Sequence, residues 1–357
     1  MSAAQALGGV WSAQDTSPEE IAGALRSLLR EQALAGDAPA PARVINLVVV
    51  ADAAFRGEIA NRLDGIGRYH ASRTVLCAVE PGREGIDAWA TMACDVPDQP
   101  GALARCRERV EIDVGVEHLE ELSSIVDPVL VADLPTVVWA PHGHEAAVDA
   151  LLAVAGIVLL DSLDAAEVRP ALDRALALAR RAYVVDLAWV RGTPWRERIA
   201  AAFDPVPRRG DLGRLRAVTV RHRRGAEVGG LLLAGWLASR LGWTPGVLRA
   251  DGEALAAPAL DASGGAVLVR LEPCAAPLEH ALVGVTLEVE GGEGVVLERS
   301  DGGLRRTRSH PDGSTDRWTV LGASRTERGI LGEGVRQALL RDPTYLPAAD
   351  RAARFAG

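Results

Sequence analysis

The sequence predicts an α/β domain with a mixed, mainly parallel sheet, followed by an α+β domain with an antiparallel sheet. Three observations carry this. At 357 residues the chain exceeds one ordinary domain of ~100–200 residues. From Arg43 to about position 180, short apolar runs rich in β-branched residues alternate with helical stretches, the pattern of strands joined by crossover helices. After "DPVPRRGD" (204–211) the pattern changes to alternating strands joined by Gly-rich turns such as "EGGEG" and "SDGG". These readings place a flexible N-terminus at 1–16, the α/β domain at 17–205 and the α+β domain at 206–357.

The first helix is expected in "SPEEIAGALRSLLREQALA", where Ser17 and Glu20 have capping-box spacing, Pro18 takes the first helical position, and Ile21, Leu25, Leu28 and Leu29 share a face. "RVINLVVVAD" reads as a strand buried on both faces, "AAFRGEIANRLDGIG" as a helix and "RTVLCAVEPG" as a strand stopped by Pro81 and Gly82. "DAWATMACDV" and "RCRERVEIDVG" alternate and read as antiparallel additions. Residues 117–131 read as helix broken near Pro128. "PTVVWAP", "HEAAVDALLAVA", "GIVLLDS" and "AAEVRPALDRALALARRA" then give strand, helix, strand, helix. Thr193 and Pro194 open a helix that puts Trp195, Ile199 and Phe203 on one inward stripe. In the second domain a strand at 216–223 precedes the apolar helix "VGGLLLAGWLASRLGW". Several strands follow, and "RTERGILGEGVRQALLRD" is expected to be the final helix.

Composition narrows the function classes. With 48% hydrophobic and 24% charged residues the chain folds rather than remaining disordered. A net charge of −9 opposes phosphate backbones, so nucleic acid is not expected as a partner. The basic residues are arginine throughout, which excludes a P-loop lysine and a Schiff-base lysine. Cys77, Cys94, Cys106 and Cys274 lie far apart without zinc or disulfide spacing, and a reducing cytoplasm fits them. No uninterrupted apolar run reaches about 18 residues, so no membrane span or export signal is expected.

Catalytic constellations are incomplete. His142 and His144 leave a strand as an H-x-H pair followed by Glu145, a spacing used by zinc hydrolases. The pair follows a late strand, and no lysine exists to be carboxylated. A solvated turn competes with the metal reading, and neither metal nor cofactor is expected. Asp52, Asp133 and Asp161 stand at strand ends, where they could serve as acids or helix caps. No nucleophile elbow and no G-x-G-x-x-G fingerprint occurs. The run "RRGDLGRLRAVTVRHRRG" offers Arg208, Arg209, Arg221 and Arg223 as a second-choice binding surface, against the alternative of a solvated strand face.

"HASRTVLCAVEPG" (70–82), "LPTVVWAP" (134–141), "IVLLDS" (157–162), "DLAWVRGTPWRERIAAAFDP" (186–205), "LLLAGWLASRLGW" (231–243) and "SRTERGILGEGVRQALLRDPTYLPA" (324–348) stand in a shared order. In that order they resemble the glucose-6-phosphate dehydrogenase assembly protein family, OpcA. The most specific element is D-L-A-W-x-R-x-x-x-W-R, here Asp186 to Arg196. Where the family often has Trp-Trp-Pro, this chain has Trp139, Ala140 and Pro141. The resemblance implies a non-catalytic protein that binds glucose-6-phosphate dehydrogenase and promotes its active oligomeric state. The alternatives are a metal-dependent or sugar-phosphate enzyme using His142 and His144, and a small-metabolite sensor. Trp and Arg are the residue types that carry binding hot spots. Asp186, Trp189, Arg191, Arg196 and Trp139 are therefore the expected partner-binding residues, with Asp186 orienting Arg191 or Arg196. Trp195 is expected in the core.

Overall fold

Eight strands build the first sheet: β1 (Leu7–Ala13), β2 (Ile45–Asp52), β3 (Ser72–Val79), β4 (Asp87–Asp95), β5 (Arg105–Val114), β6 (Thr136–Trp139), β7 (Ile157–Leu160) and β8 (Tyr183–Asp186). The computed structural model describes residues 7–34, 43–66, 71–95, 105–278, 280–300, 302–321 and 327–357. The chain forms two compact units, Met1–Leu160 with Arg181–Val184, and Asp161–Arg180 with Val185–Gly357. The composition change after 205 thus falls inside the second unit.

In the first unit the strand order is β1-β4-β5-β3-β2-β6-β7-β8. The pairs β2–β3, β2–β6, β3–β5 and β6–β7 are parallel, while β4–β5 and β1–β4 are antiparallel. The run of valines in β2 is fully buried because the strand lies mid-sheet. Its buried polar member, Asn46, is satisfied by Val131 and Thr136: Nδ2 donates to the Val131 carbonyl at 3.0 Å and to Thr136 Oγ1 at 3.2 Å, and Oδ1 accepts from Val131 N at 3.0 Å. Trp139 closes β6 and is buried.

Helix α1 (Pro18–Leu34) opens on the expected capping box, Ser17 and Glu20 each accepting from the other's backbone N–H at 3.3 Å. Ile21, Leu25 and Leu28 bury the expected face. Helices α2 (Arg56–Ile66), α3 (Leu122–Val126) and α4 (Glu145–Leu151) also belong to this unit.

Two expectations need correction here. Leu7–Ala13 is not a loose N-terminus but a strand paired along its length with β4; its two glycines hid the alternation. Of the two strands read as antiparallel additions, β5 also runs parallel to β3 and so belongs to the sheet interior.

The second unit contains α5 (Val168–Leu178), α6 (Leu187–Arg191), α7 (Thr193–Phe203) and α8 (Glu227–Leu241), together with α9 (Glu327–Leu340) and α10 (Tyr345–Ala356). Its sheet comprises β9 (Leu215–Arg223), β10 (Thr244–Pro245), β11 (Arg249–Asp251), β12 (Ala254–Leu260) and β13 (Ala266–Cys274). It continues with β14 (Leu282–Val289), β15 (Gly294–Ser300), β16 (Gly303–Ser309) and β17 (Thr315–Leu321). The order is β10-β12-β13-β9-β14-β15-β16-β17, with β11 beside β12, and the β9–β13 pair is parallel in an otherwise antiparallel sheet.

Helix α8 is apolar nearly all round because it is buried nearly all round. Gly242, at φ 71°, ends it in the left-handed conformation that glycine adopts without cost. Helix α10 lies directly on it. A Cβ at Gly235 would stand 2.2 Å from the Ala348 carbonyl oxygen, so only glycine permits this approach. The expected final helix is followed by α10, which the prolines concealed. Pro347 sits in its first turn, where no intrahelical N–H bond is lost.

Candidate functional site

The run 186–196 passes from the end of β8 through α6 into α7. Asp186, wholly buried, caps α6: its Oδ1 accepts from Ala188 N at 2.9 Å and from Ser162 N at 3.1 Å. Its Oδ2 meets two hydroxyls, Ser162 Oγ at 2.5 Å and Tyr345 Oη at 3.1 Å. Burial, reinforced by the charge of Asp161, raises the Asp186 pKa to about 6. Burial together with the neighbouring Asp186 carboxylate holds the Tyr345 phenol well above its ordinary value.

Asp161 receives Arg191, whose Nη1 lies 2.8 Å from Oδ1 and 2.7 Å from Oδ2. Burial still outweighs this partner and raises the Asp161 pKa to about 6. Trp189 donates its indole N–H to Asp342 Oδ2 at 2.8 Å and meets the Tyr345 ring edge-on at 5.7 Å. Thr344 donates to Asp342 from both N and Oγ1, at 2.8 and 2.6 Å. Burial works against the Asp342 charge, yet these donors and Trp189 hold its pKa below the usual carboxylate value.

Arg196 is stacked on a ring rather than paired with a carboxylate. Its guanidinium carbon stands 3.4 Å from the centre of the Trp189 ring, Nη1 donates to the Trp189 carbonyl at 2.8 Å and Nη2 to Thr193 Oγ1 at 2.9 Å. Desolvation lowers its pKa to about 9. Gly192 leaves the space: a Cβ there would stand 2.8 Å from Arg196 Nη1.

The structure therefore joins Asp186, Trp189, Arg191 and Arg196 with Ser162, Asp161, Asp342 and Tyr345 in one internal network. Of the residues expected to meet a partner, Asp186, Trp189, Arg196 and Trp139 are all buried in the fold. Asp186 orients neither arginine: Asp161 takes Arg191, and Trp189 with Thr193 holds Arg196. Trp195 is buried on the stripe with Ile199 and Phe203. Tyr345 and Ser162 were missed as partners. The D-S following a strand and the D-P-T-Y turn were the available signals, and only the fold brings them together.

At the ends of β2 and β6, His144 Nε2 lies 2.8 Å from Asp52 Oδ1, and Asp52 N donates to His142 Nδ1 at 3.3 Å. The His142 ring packs 4.4 Å from that of Phe55, and burial lowers its pKa, which suits its acceptor role. Gly143 and His144 both have positive φ, so the H-x-H turn is a tight corner rather than a strand end. Among the described residues no group of three or more His, Cys, Asp or Glu side chains has the arrangement to hold a metal ion.

Three of the four second-choice arginines are engaged by acids in the second unit. Arg208 lies 3.6 Å from Glu293, Arg209 3.5 Å from Asp204, and Arg221 3.4 Å from Glu298. Arg223 donates to the Arg224 carbonyl at 3.0 Å. Among the described residues no helix is long and apolar enough to cross a membrane.

Comparison with known proteins agrees with the sequence order noted above. Residues 63–177 match the family described as the glucose-6-phosphate dehydrogenase subunit N-terminal domain, and residues 182–349 match the corresponding C-terminal domain. The OxPP cycle protein OpcA of Synechocystis sp. is 27% identical over 174 residues, 48% of this chain and 37% of that protein. Its namesake in Nostoc punctiforme is 30% identical over 166 residues, 45% and 36% of the two chains. The matched stretch thus spans less than half of those relatives. Among solved structures, an oxidoreductase from Sinorhizobium meliloti superposes with a TM-score of 0.51 at 15% identity, over 88% of this chain and 96% of its own. KijD10, a 3-ketoreductase from Actinomadura kijaniata solved with NADP, gives 0.50 at 15%, over the same shares. Likeness at this identity speaks to the fold alone. By the two domain matches, which follow one another along the sequence, the chain belongs to the glucose-6-phosphate dehydrogenase assembly protein family, OpcA.

Proposed function

We propose that this protein is a non-catalytic activator or assembly factor of glucose-6-phosphate dehydrogenase, acting in the cytoplasm in the oxidative pentose phosphate pathway. The observation that carries this reading is the match of both parts of the chain to domains described as a subunit of that enzyme. The chemistry of the most specific motif supports it. Each polar group described in the 186–196 network is engaged by a donor, an acceptor or a ring within the fold, the arrangement of side chains that hold a structure rather than attack a substrate.

Activation requires that the protein bind the active state of the dehydrogenase more tightly than the inactive one, since only differential affinity shifts such an equilibrium. Turnover and the KM for glucose 6-phosphate are to be measured with the enzyme of the same organism, with and without this protein. A higher kcat or lower KM is expected. No change in either would overturn the reading.

A further inference from the structure

Sheet edges invite pairing, and the described edges other than β1 are short or carry charges. In the second sheet β17 carries Asp316 and Arg317, β10 is two residues long and ends in Pro245, and β11 carries Arg249 and Asp251. In the first sheet β8 is four residues long. Strand β1, "LGGVWSA", is seven residues long with neither a charge nor a proline, and stands at the end of the strand order. Among the described residues only β4 pairs with it. Val10 is 76% exposed.

Beside this edge runs a groove of about 520 Å³ between β1 and α1. Val10, Trp11, Ala13, Ala24 and Leu28 give it apolar lining, and Ser27, Glu20 and Glu31 of α1 give it polar lining. Glu20 is already held by Thr16 and Ser17, while Glu31 is exposed. An added strand would complete the ladder with backbone bonds, place alternate apolar side chains in the groove and bring a cation to the carboxylates.

We infer that the outer edge of β1, with the groove between β1 and α1, takes up an extended segment of the dehydrogenase as an added strand, apolar where it enters the groove and basic where it meets Glu20 and Glu31. This rests on the proposed function for the identity of the partner. The occupant is assigned by charge: a second copy would bring the same carboxylates, Glu20 and Glu31, to the junction, whereas a basic strand complements them.

Hydrogen exchange of the β1 amides, followed in the full-length protein with and without the dehydrogenase, tests the assignment. Protection that appears only with the enzyme is expected. Val10→Lys and Ser12→Lys place a charge on exposed edge positions, and Glu31→Arg reverses the sign at the groove. Each should raise the concentration for half-maximal activation at least tenfold with an unchanged melting temperature. Full activation by all three variants, with β1 amides exchanging as in the free protein, overturns the edge assignment and leaves the proposed function standing. Absence of activation and of protection with the unsubstituted protein overturns both. Protection that grows with this protein's own concentration gives the edge to a second copy and likewise overturns the assignment.

Discussion

At the scale of single residues, the two carboxylates of the internal network differ in what they face. Oδ1 of Asp186 meets two backbone N–H groups that cannot reverse, whereas Oδ2 meets two hydroxyls that can, so a proton on Oδ2 is accommodated without loss of a hydrogen bond. Its folded pKa of about 6 lies above the ~3.9 of an unfolded Asp. The folded state therefore holds the proton better, and the contribution of this group to stability, fully present below about pH 4, is lost as pH rises through 6. Asp186→Asn imitates the protonated acid, so its stability relative to the unsubstituted protein should rise between pH 4 and pH 7 in urea melts. Asp186→Ala should be destabilised throughout that range, because four donors lose their acceptor. Arg191→Ala would strand Asp161. At pH 8 this should cost ~3–5 kcal/mol, the usual cost of an uncompensated buried charge, and less at pH 5, where Asp161 can protonate. Equal losses at both pH values would show that the arginine acts by packing alone. Trp195→Ala empties a buried aromatic site and should cost ~3–5 kcal/mol, read from chemical denaturation.

Among the elements, α8 and α10 depend on one glycine. In Gly235→Ala the new methyl carbon meets backbone, not a side chain that can turn away: the Ala348 oxygen at 2.2 Å and the Ala352 nitrogen at 2.8 Å. Helix α10 must shift, at ~1–3 kcal/mol or more for overpacking, and it carries Tyr345 away from Asp186 as it moves. The expected readout is a lower melting temperature together with faster exchange of α10 amides. Gly57 in α2 has nothing within 4 Å of a Cβ, so Gly57→Ala should be neutral or stabilising by up to ~1 kcal/mol, a control for helix propensity without collision.

For the whole molecule, the compact units do not follow a single cut in the chain. Residues 161–180 belong with 185–357, and they carry Asp161, Ser162 and α5. Arg169 of α5 donates to the Ala353 carbonyl of α10 at 3.2 Å. A fragment beginning at 182, near the boundary between the two family domains, therefore leaves Asp186 without Ser162, Arg191 without Asp161 and α10 without α5. A fragment of 161–357 should unfold cooperatively and at a higher temperature than one of 182–357. Equal melting of the two would mean that the 161–180 segment contributes nothing to the second unit.

The sequence alone determined the strand and helix alternation, because burial on both faces of β2 demands unbroken apolar residues and an amphipathic helix such as α1 shows its period and cap locally. It also determined family membership, through the order of its motifs, and the inward stripe of Trp195, Ile199 and Phe203. It misplaced β1, whose Gly-Gly carries no alternation, and it missed α10, because a proline in a first helical turn looks like a proline that stops a helix. Only the tertiary structure decided what the 186–196 run does. A sequence shows that Trp189 and Arg196 are seven positions apart, but not whether they face outward or stack on each other. Which acid receives Arg191 depends on Asp161, a residue 30 positions away, and the hydroxyl that reaches Asp186 comes from Tyr345, 159 positions away. Desolvation of that kind depends on contacts between distant segments, so no local pattern records it.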